Sequence, residues 1–304
     1  MDRQSRTLQR QAFRSAVKRL GGRADMGAPV RDAFFLTQDR ESGAVRHPMA
    51  QLMSSRSGPG GGRGGQTRVA LYLSSLWLGV AGDYSTQRPA SFWAALLGLD
   101  DPGGLGSRVI RSTWAELEQR RFVALKRGER FGDVPVVRPL REDGSGEPYT
   151  RPTGTGDDTY RRVPEKFFEL LLPDPELTGP GLVMYLAAVR TSLVGGRTDA
   201  LTFPRAYVTR TFGIGESTRK AGLRNLVSML VLDPERRTSD ETGEFLSRRR
   251  LRTVYTLMPP FTPPEPNEAP QAAALPGTGA SAGRSWREPS GGGWIEREED
   301  DFPF

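Results

Sequence analysis

The chain has 304 residues, room for about two domains, with a formal net charge of +7 and a sequence pI of about 10.0. It contains no cysteine, which excludes disulfides, thiolate nucleophiles and cysteine-held zinc and fits the reducing cytoplasm in which the protein is expected. No apolar run approaches the ~18 residues of a membrane span, and the charges from Asp2 and Arg3 onward leave no signal-peptide apolar stretch.

Residues 1–25 predict a basic amphipathic helix. Leu8, Ala12, Phe13, Ala16, Val17 and Leu20 share one face, while Arg6, Arg10, Arg14 and Lys18 recur every fourth residue on another. That basic face is open to three readings: a merely solvated surface, an arm on a DNA backbone, or a helix that forms a homodimer. Residues 54–66, with Gly58-Pro59-Gly60-Gly61-Gly62-Arg63-Gly64-Gly65, read as a flexible linker. No Gly-Lys-Ser/Thr follows and no apolar strand precedes, so this is not a phosphate loop.

Residues 67–140 predict a first globular unit. A helix carries Leu71, Leu73, Leu76, Trp77 and Val80, a second spans 90–97 after Pro89, and a third spans 107–120 with Ile110, Trp114 and Leu117 inward. Strands at 122–125 and 134–137 then flank a turn. A polar, Gly- and Thr-rich connection covers 141–159. Residues 160–258 form the second unit. Thr178 can cap a helix over 180–194, Pro204 opens a short helix to Thr211, a third covers 217–230, and a long hairpin closes with residues 251–257. The Pro-, Gly-, Ala- and Ser-rich residues 259–304 are expected to be disordered. They carry eight acidic and three basic residues, a net of −5, which leaves +12 on the rest. A basic body implies a polyanionic partner.

The two units look like copies. Tyr72-Leu73-Ser74-Ser75-Leu76 matches Tyr185-Leu186-Ala187-Ala188-Val189. Trp114, Leu117 and Phe122 match Leu223, Leu226 and Val231 at one constant offset, and Gly98-Leu99 and Gly213-Ile214 occupy the turn after each second helix. The run Gly213-Ile214-Gly215-Glu216-Ser217-Thr218, with Leu223 and Leu226 beyond it, resembles the helix-turn-helix of winged-helix DNA-binding proteins. The tandem arrangement over 67–258 is similar to the replication initiators of plasmids and other mobile elements. The resemblance implies a mainly α fold with β-hairpin wings. Two tandem winged-helix domains (67–140 and 160–258) would be joined by the 141–159 linker. A basic helix and linker (1–66) and an acidic tail (259–304) would flank them. It also implies sequence-specific binding of double-stranded DNA for replication initiation, with a transcriptional regulator as the alternative. Members often place Gly before the first wing strand; here Arg121 and Leu230 stand there.

Helical geometry nominates the contacts. With the apolar residues inward, Arg108, Arg111, Ser112, Ala115 and Gln119 point out from one third helix, and Ser217, Thr218, Lys220, Ala221, Arg224 and Asn225 from the other. Arg suits guanine, Asn or Gln suits adenine, and a small Ala or Ser lets a helix approach the bases. Lys126, Arg127 and Arg130 on the first hairpin, and Arg236, Arg237, Arg248, Arg249, Arg250 and Arg252 on the second, suit phosphates.

No catalytic constellation is legible, so neither an enzyme nor a cofactor is expected. The single histidine, His47, is expected on a loop surface and excludes a histidine-pair metal site; Asp100-Asp101 and Asp157-Asp158 read as turn residues. The last residues, Glu298-Glu299-Asp300-Asp301-Phe302-Pro303-Phe304, resemble the acidic Pro-Phe tip of bacterial single-stranded DNA-binding proteins. That resemblance implies that Asp300, Asp301, Phe302, Pro303 and Phe304 dock on host replication or repair proteins, with acids meeting a basic surface. No membrane partner is expected.

Overall fold

The N-terminal amphipathic pattern folds as helix α1 (Arg3–Leu20), with a 3-10 turn at Gly21–Arg23. Its apolar face is used inside the protein: Ala12, Phe13, Ala16 and Leu20 are buried, and Phe13 stacks on Trp77 at 5.7 Å. Trp77 in turn stacks face to face on Phe168 at 4.5 Å. The computed structural model describes residues 3–38, 42–54, 64–79, 82–128, 133–194, 199–238 and 251–264. Residues 1–267 make one unit and 268–304 a second, the latter wholly outside the described residues.

Between α1 and the first repeat lie elements too short for periodicity to announce. They are β1 (Ala28–Arg31), the two-residue strands β2 (Thr37–Gln38) and β3 (Val45–Arg46), and α2 (Pro48–Met53). The first repeat runs α3 (Gly64–Leu78), β4 (Thr86–Gln87), α4 (Ala90–Leu96), α5 (Leu105–Gln119), β5 (Val123–Lys126) and β6 (Val136–Pro139). Its three strands lie in the order β4-β6-β5. β7 (Tyr160–Val163) then returns to pair antiparallel with β1, joining segments about 130 residues apart and so tying the N-terminal region to the end of the 141–159 connection.

The second repeat follows the same order. It runs α6 (Gly179–Val194), an isolated antiparallel bridge of Leu201 to Tyr255, α7 (Arg205–Phe212), α8 (Glu216–Ser228), and the hairpin β8 (Leu232–Thr238) with β9 (Leu251–Leu257). α3 and α6 are buried nearly all round, as central helices should be. Their matching tyrosines do the same work. Tyr72 donates to Leu140 O at 2.8 Å and Tyr185 to Phe261 O at 3.1 Å, each anchoring the chain just beyond a hairpin. Thr178 caps α6, its Oγ1 accepting from Gly181 N at 3.1 Å.

The two residues that stand in place of Gly take the glycine conformation. Arg121 (φ 65°) and Leu230 (φ 56°) are both left-handed. Both close their helices by the same pair of bonds: Phe122 N to Leu117 O and Arg121 N to Glu118 O, Val231 N to Leu226 O and Leu230 N to Val227 O. Each side chain costs about 1–2 kcal/mol of backbone strain there, offset by the carbonyls it lets the helix end satisfy. The protein is thus mainly helical with small antiparallel sheets. Among the described residues no helix is long and apolar enough to cross a membrane.

Candidate nucleic-acid interface

α5 starts two residues earlier than its periodicity suggests, with Gly104 at its N-cap, and Asp101 in the preceding turn accepts from Gly104 N at 3.1 Å and Leu105 N at 2.9 Å. With Ile110, Thr113, Trp114 and Leu117 buried, the outer face presents Arg108, Arg111, Ser112, Ala115 and Gln119, all exposed. Neither Arg108 nor Arg111 forms a hydrogen bond or ion pair among the described residues. Sequence reasoning missed two apolar members of this face, Leu105 and Val109, which are 64% and 42% exposed. They fall one turn apart, but Leu105 lies before the predicted start of the helix at 107, so the spacing was not seen. The Glu residues of α5 are engaged elsewhere: Glu116 with Arg68, and Glu118 with Arg127 (2.8 Å) and Leu125 N (3.1 Å). Arg127 is therefore paired, though 67% exposed. Lys126 is exposed, and Arg130 lies outside the described residues.

On α8, Ser217, Lys220 and Arg224 are exposed and Thr218 is half-buried. Glu216 gathers the first-turn cations, binding Arg219 at 2.8 Å and Lys220 at 3.3 Å. The Arg219 guanidinium, with Lys220 behind it, holds the Glu216 carboxyl down to about 2. Arg219 also donates to Phe203 O at 3.0 Å, which fixes it to the approach to α7. Arg224 has no partner among the described residues.

Asn225 departs from its expected role. Its Oδ1 accepts from Thr178 N (3.0 Å) and Thr178 Oγ1 (2.9 Å), and its Nδ2 donates to Glu176 O (2.9 Å). The side chain faces the start of α6 instead of solvent, because Gly181 and Gly222 bring the two helices together where a Cβ would collide. Asn225→Ala should accordingly lower stability by about 1–2 kcal/mol, for the loss of these bonds, and leave any DNA sequence preference unaltered. Thermal unfolding beside site selection from random duplexes checks this, and a relaxed preference at normal stability would return Asn225 to base reading.

Between α8 and the β8–β9 hairpin opens a groove of about 1060 Å³, whose walls include Lys220, Arg224, Arg252, Phe203 and Tyr255. Arg236 and Arg252 are exposed, whereas Arg237 pairs with Glu235 at 2.8 Å. Arg248, Arg249 and Arg250, and the tip residues Asp300, Asp301, Phe302, Pro303 and Phe304, lie outside the described residues.

His47 is half-buried instead of loosely held on a surface loop. Its Nδ1 lies 3.1 Å from Phe35 O, and its ring packs against Gly213, where any Cβ would strike it. Gly213 is left-handed (φ 66°) at the turn between α7 and α8, so the N-terminal segment reaches that turn directly. Asp158 does more than shape a turn: it joins Glu142 on Arg31. No group of side chains suited to a metal ion occurs among the described residues. Set beside known protein families, curated proteins and solved structures, the chain matches none.

Proposed function

We propose that the two repeats are tandem winged helices that bind double-stranded DNA in a sequence-specific way. In this reading α5 and α8 enter successive stretches of major groove and the hairpins β5–β6 and β8–β9 act as wings. The observation that carries the reading is the repeated order of helix, strand or bridge, two helices and hairpin, each third helix offering exposed cations on its outer face, of which Arg108, Arg111 and Arg224 have no partner among the described residues. Arg108 and Arg111 on α5, and Arg224 and Lys220 on α8, are the base or phosphate contacts; Lys126, Arg236 and Arg252 follow the backbone. The groove beside α8 gives a sugar–phosphate strand a place to lie between helix and wing.

The biological role that best fits is replication initiation on a plasmid or other mobile element, with the acidic Pro-Phe segment recruiting host replication proteins. Binding to duplex DNA across a salt series tests the core of the reading; flat or absent binding at low salt overturns it. Deleting Pro303-Phe304 should leave DNA affinity unchanged and abolish capture of host helicase, primase or restart proteins by the intact protein. An isolated peptide of the last seven residues should compete with that capture. If truncation changes nothing, recruitment falls and a transcriptional regulator becomes the better reading.

A further inference from the structure

The basic face of α1 was open to three readings from sequence, and one of them, the homodimer, loses its footing once the apolar face is placed. Ala12, Phe13, Ala16 and Leu20 are buried within the chain, and α1 packs chiefly on α4. A helix that lies on a membrane or pairs with a second copy needs its apolar face for that purpose; here that face is already covered. What α1 still offers is charge. Arg6, Arg10, Arg14 and Lys18 are exposed, none has a hydrogen-bond or ion-pair partner among the described residues, and α1 contains no acidic residue. Successive cations stand about 6 Å apart and the four span about 18 Å, the rise of about five nucleotides of one DNA strand. Like charges four residues apart destabilise a helix, a repulsion that an anion along the stripe removes.

The basic surface also continues off the helix. The charge of Arg19, at the end of α1, reaches Arg88 at the turn before α4, and the Arg88 guanidinium sits 5.1 Å over the Phe92 ring. Burial first, and then Arg19, lower the Arg88 pKa, as the approach of two cations should. Because α1 packs on α4 and α4 on α5, the stripe and α5 belong to one packed unit.

We propose that the Arg6–Arg10–Arg14–Lys18 face of α1 is a DNA-backbone site, gripping phosphates that flank the bases met by α5 and adding affinity without sequence information. This rests on the DNA-binding reading above.

The test uses the full chain with Arg6, Arg10, Arg14 and Lys18 all changed to Gln, beside a charge-keeping control with R6K, R10K and R14K. Each phosphate contact contributes about 0.9 to the slope of log affinity against log salt. The Gln variant should therefore show a slope shallower by about 3 to 4. Between 50 and 200 mM salt it should lose about 100-fold less affinity than the unaltered protein. The preferred sequence should stay the same, and the control should keep the full slope. Equal slopes for all three proteins overturn the inference while leaving the DNA reading in place. So does loss of binding to phosphatidylserine vesicles in the Gln variant without a change in DNA slope. Failure of the unaltered protein to bind duplex at low salt overturns the DNA reading itself. An unfolding temperature taken on each protein shows whether the Gln variant is folded. If it is not, the comparison passes to pairs of substitutions, each expected to reduce the slope by about half as much.

Discussion

Arg31→Met should lower the free energy of unfolding by about 3–5 kcal/mol, the cost of stranding a buried charge. Arg31 is 1% exposed and Glu142 not at all, with 2.7 Å between Nη1 and Oε2. The guanidinium is further engaged by Asp158 at 2.5 Å and by Thr150 O at 2.6 Å, and it lies 5.2 Å from the Tyr149 ring. Burial pushes the Glu142 carboxyl up while Arg31 pulls it back. Burial also opposes the charge on Arg31, but Glu142 and Asp158 outweigh it and hold its pKa above the ordinary arginine value. With the arginine gone, Glu142 must stay ionised without a partner, take up a proton, or force the 141–159 segment open. Arg31 belongs to β1 and Asp158 lies just before β7, so the same loss loosens the antiparallel pair that ties the N-terminal region down. Thermal or urea unfolding reads the effect, on the order of 10 °C in Tm for a chain of this size. Adding Glu142→Leu to Arg31→Met should restore part of the loss, since a buried ion pair replaced by apolar groups is often neutral. If the single variant unfolds like the unaltered protein, the network does not hold the connection.

The second large effect is on DNA. Affinity should fall on the order of 10³-fold between 50 and 200 mM salt if six or more cations meet phosphates. Arg224, Arg236, Arg252 and Lys126 are exposed without ion-pair partners among the described residues, and with the four cations of the α1 stripe they exceed that number. Single substitutions should then separate by position. Arg108→Ala or Arg111→Ala should cost about 1–3 kcal/mol on the preferred sequence and relax the preference at one base pair. Arg252→Ala should weaken all sequences alike. Arg127→Ala should do less than either, because its partner Glu118 already neutralises it. If the α5 variants lose affinity equally on every sequence, α5 is a backbone contact and the reading helix lies elsewhere.

Much of this molecule is written locally. The period of Leu8, Ala12, Phe13, Ala16 and Leu20 marked both faces of α1, and the inward set Ile110, Trp114 and Leu117 was enough to name the polar residues on the exposed side of α5, though not Leu105 and Val109. Such patterns are legible because a helix repeats its environment every three to four residues. Thr178 and Pro204 marked helix starts for the same local reason. Even Arg121 and Leu230, which do not look like helix stops, fall at equivalent places in the two repeats.

What only the tertiary structure decided depends on partners far along the chain. The β1–β7 pair and the Arg31–Glu142 ion pair join residues more than 100 positions apart, and each strand has four residues, too few to carry a period. Asn225 sits where helical geometry points outward, yet α6 passes close enough to claim its amide through Thr178 and Glu176. His47 lies in a polar stretch that looked like surface, until the turn at Gly213 closed over its ring. In each case the side chain's own neighbourhood in sequence is silent about the element that packs on it. A polar residue buried by a distant segment is held by hydrogen bonds and charge in a low-dielectric setting, and no local pattern records that. The sequence determined which cations lie on the outer faces of the helices; the packing decided which of them lack a partner among the described residues.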